Sequence, residues 1–224
     1  MKQKIIFIFA FILFSNSFYA QTYFGFKVGF NGSNITGDNQ IQGIKPGMHV
    51  GAVAEIQISD LFSIQPELLY SIQGSQHIID VSLAKYQMNN YDIIVNNYVV
   101  SLPVKDYQDE KNKQVKIKNN NHYITLPIMV KYFINETMSI DAGPQVGYLV
   151  FSQISDGSKE WTDTKDSLNT FDYGVNLGAS YEMDNGMNIN VRYNYNFANI
   201  YKSDFFGLKA NNTNFQISLG YKFY

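Results

Sequence analysis

Hydrophobic and polar residues alternate with a period of two along most of the chain beyond residue 20. Near the C-terminus, for example, Phe215, Ile217 and Leu219 alternate with Gln216 and Ser218. Successive side chains of a β-strand point to opposite sides of the sheet, so this pattern predicts strands with one apolar face and one polar face. The eight segments that show it are Tyr23–Asn31, Gly47–Ile58, Leu61–Gly74, His122–Ile134, Met138–Phe151, Phe171–Met183, Met187–Phe197 and Asn212–Tyr224.

These segments are long, and the connections between them alternate between short and long. A strand of a soluble sheet typically has about 5–6 residues, whereas a tilted strand needs about 9–11 residues to cross a bilayer. Short turns are predicted at 59–60, 135–137 and 184–186, the last of which contains the hairpin signal Asn-Gly. Long connections are predicted at about 32–46, 75–121, 152–170 and 198–211. In antiparallel order all short turns lie at one end, as in bacterial outer-membrane barrels with short periplasmic turns and long external loops.

The direction in which the apolar face points is the next question, because a soluble eight-stranded barrel also alternates but turns its apolar side inward. The polar face of this chain is rich in Gly, Ser and Asn, which suit a narrow interior. Its charges nearly balance, as a buried polar lumen requires. The sequence therefore predicts an all-β, transmembrane, antiparallel up-and-down barrel. Its expected lumen charge network consists of Lys27, Glu55, Glu67, Lys131, Asp141, Asp172, Glu182, Arg192 and Lys222.

Aromatic residues recur near the ends of the apolar face, where outer-membrane barrels carry girdles at the two membrane interfaces. The chain has 17 Tyr and 17 Phe against one Trp. The residues expected in the girdles are Tyr70, Tyr132, Tyr148, Tyr181, Tyr195, Phe197 and Phe223.

The N-terminus has the three-part plan of a secretory signal peptide. Lys2 and Lys4 give a positive start, Ile5–Phe14 is continuously apolar, and Ala20 precedes Gln21. We expect a signal peptide at 1–20 and the barrel domain at 21–224. The alternative is an uncleaved anchor helix, for which the apolar stretch is short of the ~20 residues that a spanning helix needs.

Composition excludes several other classes of protein. The net charge is −2, which gives no basic surface for nucleic acid. There is no cysteine, so neither disulfides nor a cysteine-based metal site is available. His49, His77 and His122 lie on different segments, which argues against a joint metal site. No cofactor is expected.

The sequence shows no catalytic constellation, because no serine lies in a Gly-x-Ser-x-Gly pattern. A Ser-His-acid site at the barrel rim stays formally open. Asp156, Asp163 and Asp166 share one loop without calcium-loop spacing. Trp161 in that loop is a possible contact for an external partner, since exposed Trp is often a binding anchor. Tyr91–Leu102 has strand character, and a strand raised above the membrane offers an edge for a partner.

Several segments resemble the porin-like outer-membrane β-barrel family, the PorT-like proteins of Gram-negative bacteria of the Bacteroides type. The resemblance covers essentially the whole chain beyond the Ala20-Gln21 junction, and its motifs match in order and spacing. They are Phe24–Phe30 (FGFKVGF), Ile64–Tyr70 (IQPELLY), Ile124–Tyr132 (ITLPIMVKY), Asp141–Pro144 (DAGP) and Leu219–Phe223 (LGYKF). The family implies an outer-membrane location and an assembly signal in the terminal strand, here Tyr221 and Phe223. Tyr224 lies one residue beyond that register. The family carries little assigned biochemistry.

Two functions remain open at this stage. The first is a non-enzymatic barrel with a structural or interaction role through its extracellular loops, and the second is a narrow pore or transporter for small solutes. Eight strands leave no aqueous channel, unlike the ~16–18 strands of porins, which favours the first. Additional strands within 75–121 would make a wider, ten-stranded barrel. The expected partners are outer-membrane lipid, the barrel assembly machinery during biogenesis, and an extracellular or envelope protein that contacts the loops.

Overall fold

A computed structural model describes residues 21–37, 43–80, 92–95, 98–101, 114–155, 161–202 and 209–223. Eight long strands dominate these ranges, together with three short strands and the 3-10 turn Lys165–Ser167. The long strands are β1 (Thr22–Gly37), β2 (Lys45–Gln57), β3 (Phe62–Asp80), β6 (Gln114–Phe133), β7 (Met138–Ser155), β9 (Phe171–Glu182), β10 (Met187–Asn196) and β11 (Ala210–Phe223). The short strands are β4 (Asp92–Val95), β5 (Tyr98–Ser101) and β8 (Thr162–Asp163).

The eight long strands form a closed antiparallel ring in the order β1, β2, β3, β6, β7, β9, β10 and β11. β11 returns to β1 along a continuous ladder from Phe24↔Phe223 to Gly37↔Ala210. Closure matters because a backbone in hydrocarbon has no water to satisfy an open sheet edge. The predicted eight-stranded, up-and-down barrel is confirmed. Within the described residues, β4 and β5 pair with each other and not with the ring.

The apolar face of each strand points outward and the polar face points inward, as predicted. Phe30 and Phe171 on the outer surface are each 71% exposed, whereas Lys27 is 3% and Arg192 is 1% exposed inside the ring. Folding in water hides apolar groups and exposes charges, so this inverted arrangement requires a lipid environment. Within the described residues, no helix has the length and apolar character to span a membrane.

The strands are longer than the sequence pattern indicated at the loop end of the barrel. β1 continues to Gly37 and β2 begins at Lys45, so the first long connection is shorter than the expected 32–46. β3 and β6 stay paired as far as Asp80↔Gln114, and past Lys118↔Ser155, where the β6–β7 ladder ends, they continue as a two-stranded ribbon. The pattern missed these extensions because their outward positions, Lys116 and Lys118 among them, are not apolar.

The short turns all lie at the opposite end, as predicted. In the turn between β9 and β10, the Gly186 N–H donates to the Met183 carbonyl at 3.0 Å. Gly186 has φ of 85°, a left-handed conformation that glycine adopts without a Cβ penalty. The Asn-Gly signal therefore marked this hairpin correctly.

Aromatic side chains meet on the outer surface at both ends of the apolar band. Phe26, Tyr221 and Phe223 form one group near the short turns, with ring centroids 5.4–6.1 Å apart. Near the loops, His122 lies between Tyr70 and Phe151 at 5.9 and 5.5 Å. These two tiers have the placement of interfacial girdles. The seven aromatics assigned to the girdles from the sequence are all at least 40% exposed on the outer surface.

Candidate functional site

The middle of the barrel interior is crossed by a buried ion-pair cluster centred on Glu67. Arg192 donates from Nη1 to Glu67 Oε2 at 2.9 Å and from Nη2 to Oε1 at 2.8 Å. Lys27 Nζ lies 2.8 Å from the same Oε1, and Gln65 Nε2 donates to it at 2.6 Å. A bidentate guanidinium–carboxylate pair fixes geometry as well as charge. This cluster ties together β1, β3 and β10.

A second cluster closes the interior near the short turns. Glu55 Oε2 lies 3.2 Å from Lys131 Nζ and 2.9 Å from Lys222 Nζ. Glu182 contacts the same two lysines with its two oxygens. The four side chains therefore form a cycle in which each charge touches two of the opposite sign. Ser63 donates to Glu55 Oε1 at 2.9 Å and so occupies its remaining oxygen.

The two clusters draw on alternating strands of the ring. The four-charge cycle uses β2, β6, β9 and β11, whereas Lys27, Glu67 and Arg192 stand on β1, β3 and β10. Inward side chains of neighbouring strands in a tilted barrel lie at staggered heights, so alternate strands fill separate layers. Glu55 and Lys131 therefore belong to a different layer from Glu67 and Arg192. The inward charges therefore fall into separate layers of the lumen.

The two inward aspartates take a different role, because neither forms an ion pair with a described residue. Asp141 accepts from Ser139 at 2.7 Å, Ser180 at 2.6 Å and Asn190 at 2.8 Å. Asp141 lies on β7. Together with β1, β3 and β10, this strand makes up the alternate set of four strands to which the Glu67 layer belongs.

Asp172 lies nearer the loop end of the barrel. It accepts hydrogen bonds from Asn196 at 2.7 Å, Asn212 at 2.8 Å and its neighbour's backbone N–H at 2.9 Å. Amide and hydroxyl donors thus satisfy both aspartates in place of cations.

The three histidines do not meet. His49 is buried in the lumen, where its Nδ1 lies 2.6 Å from Asn31 Oδ1 and its Nε2 lies 2.8 Å from Ser218 Oγ. His122 faces outward and bonds the Tyr70 hydroxyl at 2.6 Å, while His77 is buried on the ribbon. Within the described ranges, no three His, Asp or Glu side chains are grouped to hold a metal ion.

An apolar cluster seals the lumen at the loop end. Leu168, from the connection between β7 and β9, is fully buried and bridges to Tyr201 from the connection between β10 and β11. Asn169 Nδ2 fastens the two connections by donating to the carbonyls of Asn199 and Tyr201 at 2.8 and 2.9 Å. The members of the cluster are Ile35, Tyr123, Leu149, Leu168, Ile200, Tyr201 and Ala210.

Sequence reasoning missed this seal and the His49 contacts. The available signal was the presence of apolar residues such as Leu168, Ile200 and Tyr201 in the predicted connections, which does not show where they pack. An alternation pattern assigns Tyr123 and Leu149 to the inward face without saying that loop residues cover them. Their partners come from segments distant in sequence, which periodicity does not address.

The remaining candidate residues lie on the surface. Trp161, which directly precedes β8, is 43% exposed, and Asp163 and Asp166 in the same connection are also exposed. Phe223 is 56% exposed on the lipid side, directly opposite Phe24. Asp156 and the segment 1–20, predicted to be a signal peptide, lie outside the described residues, and only parts of Tyr91–Leu102 lie within them.

Comparison with known proteins agrees with this geometry. The family model described as the outer membrane protein beta-barrel domain matches residues 15–202. The chain belongs to this family. It is therefore an outer-membrane β-barrel protein, and the predicted location in the cell outer membrane is confirmed. A search of curated proteins gave no match.

Three solved outer-membrane proteins are similar to this chain at low sequence identity. Neisserial surface protein A is 11% identical, with a TM-score of 0.52, and the alignment covers 91% of this chain and 99% of that chain. Ail, the attachment invasion locus protein of Yersinia pestis, is 11% identical over 91% and 99%, with a TM-score of 0.45. OprG from Pseudomonas aeruginosa is 12% identical over 93% and 99%, with a TM-score of 0.39. Of the three, the first has a TM-score above 0.5, and at 11% identity it supports the fold alone.

Proposed function

We propose that this outer-membrane barrel is a non-enzymatic protein that acts through its extracellular surface and passes no solute through its interior. The observation that carries the proposal is the contact between Arg192 and Glu67, which fills the centre of the lumen with buried side chains. The four-charge cycle lies on one side of this contact and the apolar cluster around Leu168 on the other. A solute would have to displace all three.

In this proposal, the charged side chains of the lumen neutralise one another. Each buried lysine or arginine in the two clusters contacts a carboxylate, which offsets the cost of removing the charge from water. Asp141 and Asp172 are satisfied by neutral donors and stiffen the strands they join. A proton or ion path would instead require a continuous wet route past these contacts.

Conductance in planar bilayers tests the proposal. The purified, refolded barrel is added to a bilayer beside an open porin as a positive control. We expect no channel events from the barrel and normal events from the porin. Trp161→Ala, which leaves the lumen untouched, is expected to be equally silent. Reproducible channel events from the native barrel would favour the alternative function, a narrow pore for small solutes.

The extracellular surface carries the proposed activity. The β3–β6 ribbon extends beyond the lipid-facing band, and Trp161 is exposed on the connection beside it. Exposed tryptophan contributes large contact areas in interfaces. An extracellular or envelope protein is the proposed partner class, and crosslinking at position 161 in intact cells tests it. If the partner is crosslinked to the loops of the Trp161→Ala variant as strongly as to those of the wild type, Trp161 is not an anchor for it.

We propose separately that the barrel has no enzymatic activity. The lumen serines Ser63, Ser139 and Ser180 donate to carboxylates and are buried. None of them is placed to attack a substrate. A serine-reactive probe is expected to leave the refolded barrel unlabelled, and stoichiometric labelling would contradict this.

Membership of the PorT-like branch and export by cleavage after Ala20 also belong to the proposal. The ordered motifs from Phe24 to Phe223 support the branch, and the apolar stretch Ile5–Phe14 supports the signal peptide. Mass spectrometry of the protein from outer membranes is expected to find Gln21 as the first residue. An intact N-terminus there would indicate an uncleaved anchor.

Recognition by the assembly machinery is proposed for the terminal strand. Tyr221 and Phe223 both face lipid and touch Phe26, so they lie on the outer surface of the strand that closes the ring. Phe223→Ser is expected to lower the amount of folded barrel in outer membranes while leaving refolding in detergent intact. Equal loss in detergent would assign Phe223 to stability instead.

A further inference from the structure

The outer face of the β3–β6 ribbon carries a group of cations directly above the lipid-facing band, and these cations have no ion-pair partner among the described residues. Lys116 and Lys118 both point outward on β6, while Ile117 between them is buried. Their cross-strand neighbours on β3 are Ile78 and Gln76. We refer to Lys116, Lys118, Gln76 and Ile78 as the lysine face.

We propose that the lysine face binds the phosphate groups of an anionic glycolipid in the outer leaflet of the membrane. The proposal rests on the position of these lysines relative to the lipid, on their lack of a counter-ion in the described residues, and on the apolar surface beside them.

The height of Lys118 matches the headgroup region of the outer leaflet. The lipid band ends at the aromatic tier that contains His122, and Lys118 lies four residues further along the same strand. Four residues rise ~13 Å along a strand, or ~10 Å along the membrane normal at a tilt of about 40°. The polar region of a leaflet is ~5–8 Å thick, and a lysine turned toward it lowers its ammonium by several ångströms, on the order of 5 Å. The ammonium of Lys118 therefore reaches the level of lipid phosphates.

The charge of the lysine face has no partner among the described residues. Neither Lys116 nor Lys118 lies within 4.0 Å of a described carboxylate. Asp163 is on β8, beyond β7, and its carboxylate accepts the backbone N–H of Lys165 at 2.9 Å. Buried Lys45, whose ammonium donates to the Gln73 carbonyl, lies within electrostatic range of Lys118 and adds to the positive field.

Apolar side chains next to the lysines fit a lipid rather than a soluble anion. Ile78 is 60% and Ile44 is 66% exposed, and Gln76 joins the two by donating to the Ile44 carbonyl at 2.7 Å. Together they continue the lipid-facing surface upward beside the cations. An acyl-linked headgroup contacts both kinds of surface, whereas free phosphate uses only the lysines.

Lipid retention measured by native mass spectrometry tests the proposal. The full-length barrel, folded in detergent, is mixed with phosphorylated lipid A, with its dephosphorylated form, or with inorganic phosphate. Wild type is expected to retain the phosphorylated lipid only. Lys118→Gln is expected to weaken retention about fivefold, and adding Lys116→Gln, which lies higher above the lipid, is expected to weaken it further by a smaller factor. The matched control Lys165→Gln with Lys202→Gln removes the same charge from the loops and is expected to retain the lipid.

Three results would overturn the proposal. The first is equal retention of the phosphorylated lipid by the wild type and the Lys116/Lys118 variant. The second is retention of the dephosphorylated lipid equal to that of the phosphorylated lipid. The third is retention of inorganic phosphate equal to that of the phosphorylated lipid. Heat-dependent gel mobility shows whether each variant is folded. Because both lysines are exposed, loss of folding is not expected, and the single variants Lys116→Gln and Lys118→Gln provide the comparison if the double variant fails to fold.

Discussion

Arg192 and Glu67 meet across the full width of the barrel. Their strands, β10 and β3, are four places apart in the ring of eight, and the two side chains share hydrogen bonds of 2.8 and 2.9 Å. The residues are 125 positions apart in sequence. One pair thus links opposite walls of the ring, and Lys27 adds a third strand to the same carboxylate.

Replacing Glu67 should destabilise the barrel strongly. Glu67→Gln leaves Lys27 and Arg192 buried without a carboxylate, and breaking a buried pair in this way costs about 3–5 kcal/mol. Urea unfolding in lipid vesicles measures the loss. Asp163→Asn, an exposed carboxylate on β8, is the matched control and should change stability by less than about 0.5 kcal/mol. Equal unfolding midpoints for the two variants would mean that the central cluster contributes nothing to stability.

Two lumen glycines should differ sharply in their tolerance of alanine. A Cβ at Gly29 would lie 2.2 Å from the Ile217 carbonyl oxygen and 2.6 Å from the His49 ring. At Gly147 the closest atoms are 3.6 Å away, an ordinary contact. Gly29→Ala is therefore expected to cost about 1–3 kcal/mol through overpacking, and Gly147→Ala much less. The same vesicle unfolding assay compares them, and a reversed order would show that the strands at Gly29 can separate.

An arginine on the outer face should be costly in the middle of the lipid band and harmless above it. Leu177 is 62% exposed midway along the outer face of β9, and Leu177→Arg is expected to cost about 2–4 kcal/mol. Thr36→Arg, on the part of β1 beyond the band, should cost about 0–1 kcal/mol. If Leu177→Arg folded as stably as Thr36→Arg, the apolar face would not be in contact with lipid.

Removing the apolar seal should loosen both connections that form it. Leu168→Ala deletes the side chain at the centre of the cluster and is expected to cost about 2–5 kcal/mol locally. Lys202 lies next to Tyr201 in the same contact, so trypsin is expected to cut there faster. Leu177→Ala, on the lipid face, should leave that cleavage rate unchanged. Unchanged cleavage in Leu168→Ala would mean that backbone contacts such as those of Asn169 hold the connections alone.

Much of this fold follows from local sequence pattern. The alternation from Phe215 to Tyr221 assigned each side chain of β11 to the correct face, and Asn185-Gly186 located a turn that requires positive φ. The extent of the β3–β6 ribbon did not follow, because Lys116 and Lys118 interrupt the apolar face although the strand continues. A pattern that detects contact with lipid ends where the lipid ends, not where the strand ends.

The sequence by itself determined that eight strands alternate, that their apolar side faces outward, and that the short turns share one end. The first depends on the period of two, the second on the small and charge-balanced residues of the polar face, and the third on the alternation of short and long connections. Only the tertiary structure decided which charges meet, because the tilt and stagger of the strands set the height of each inward residue. Glu55 and Glu67 share one face in the sequence, yet closure of the ring places them in different layers with different cations.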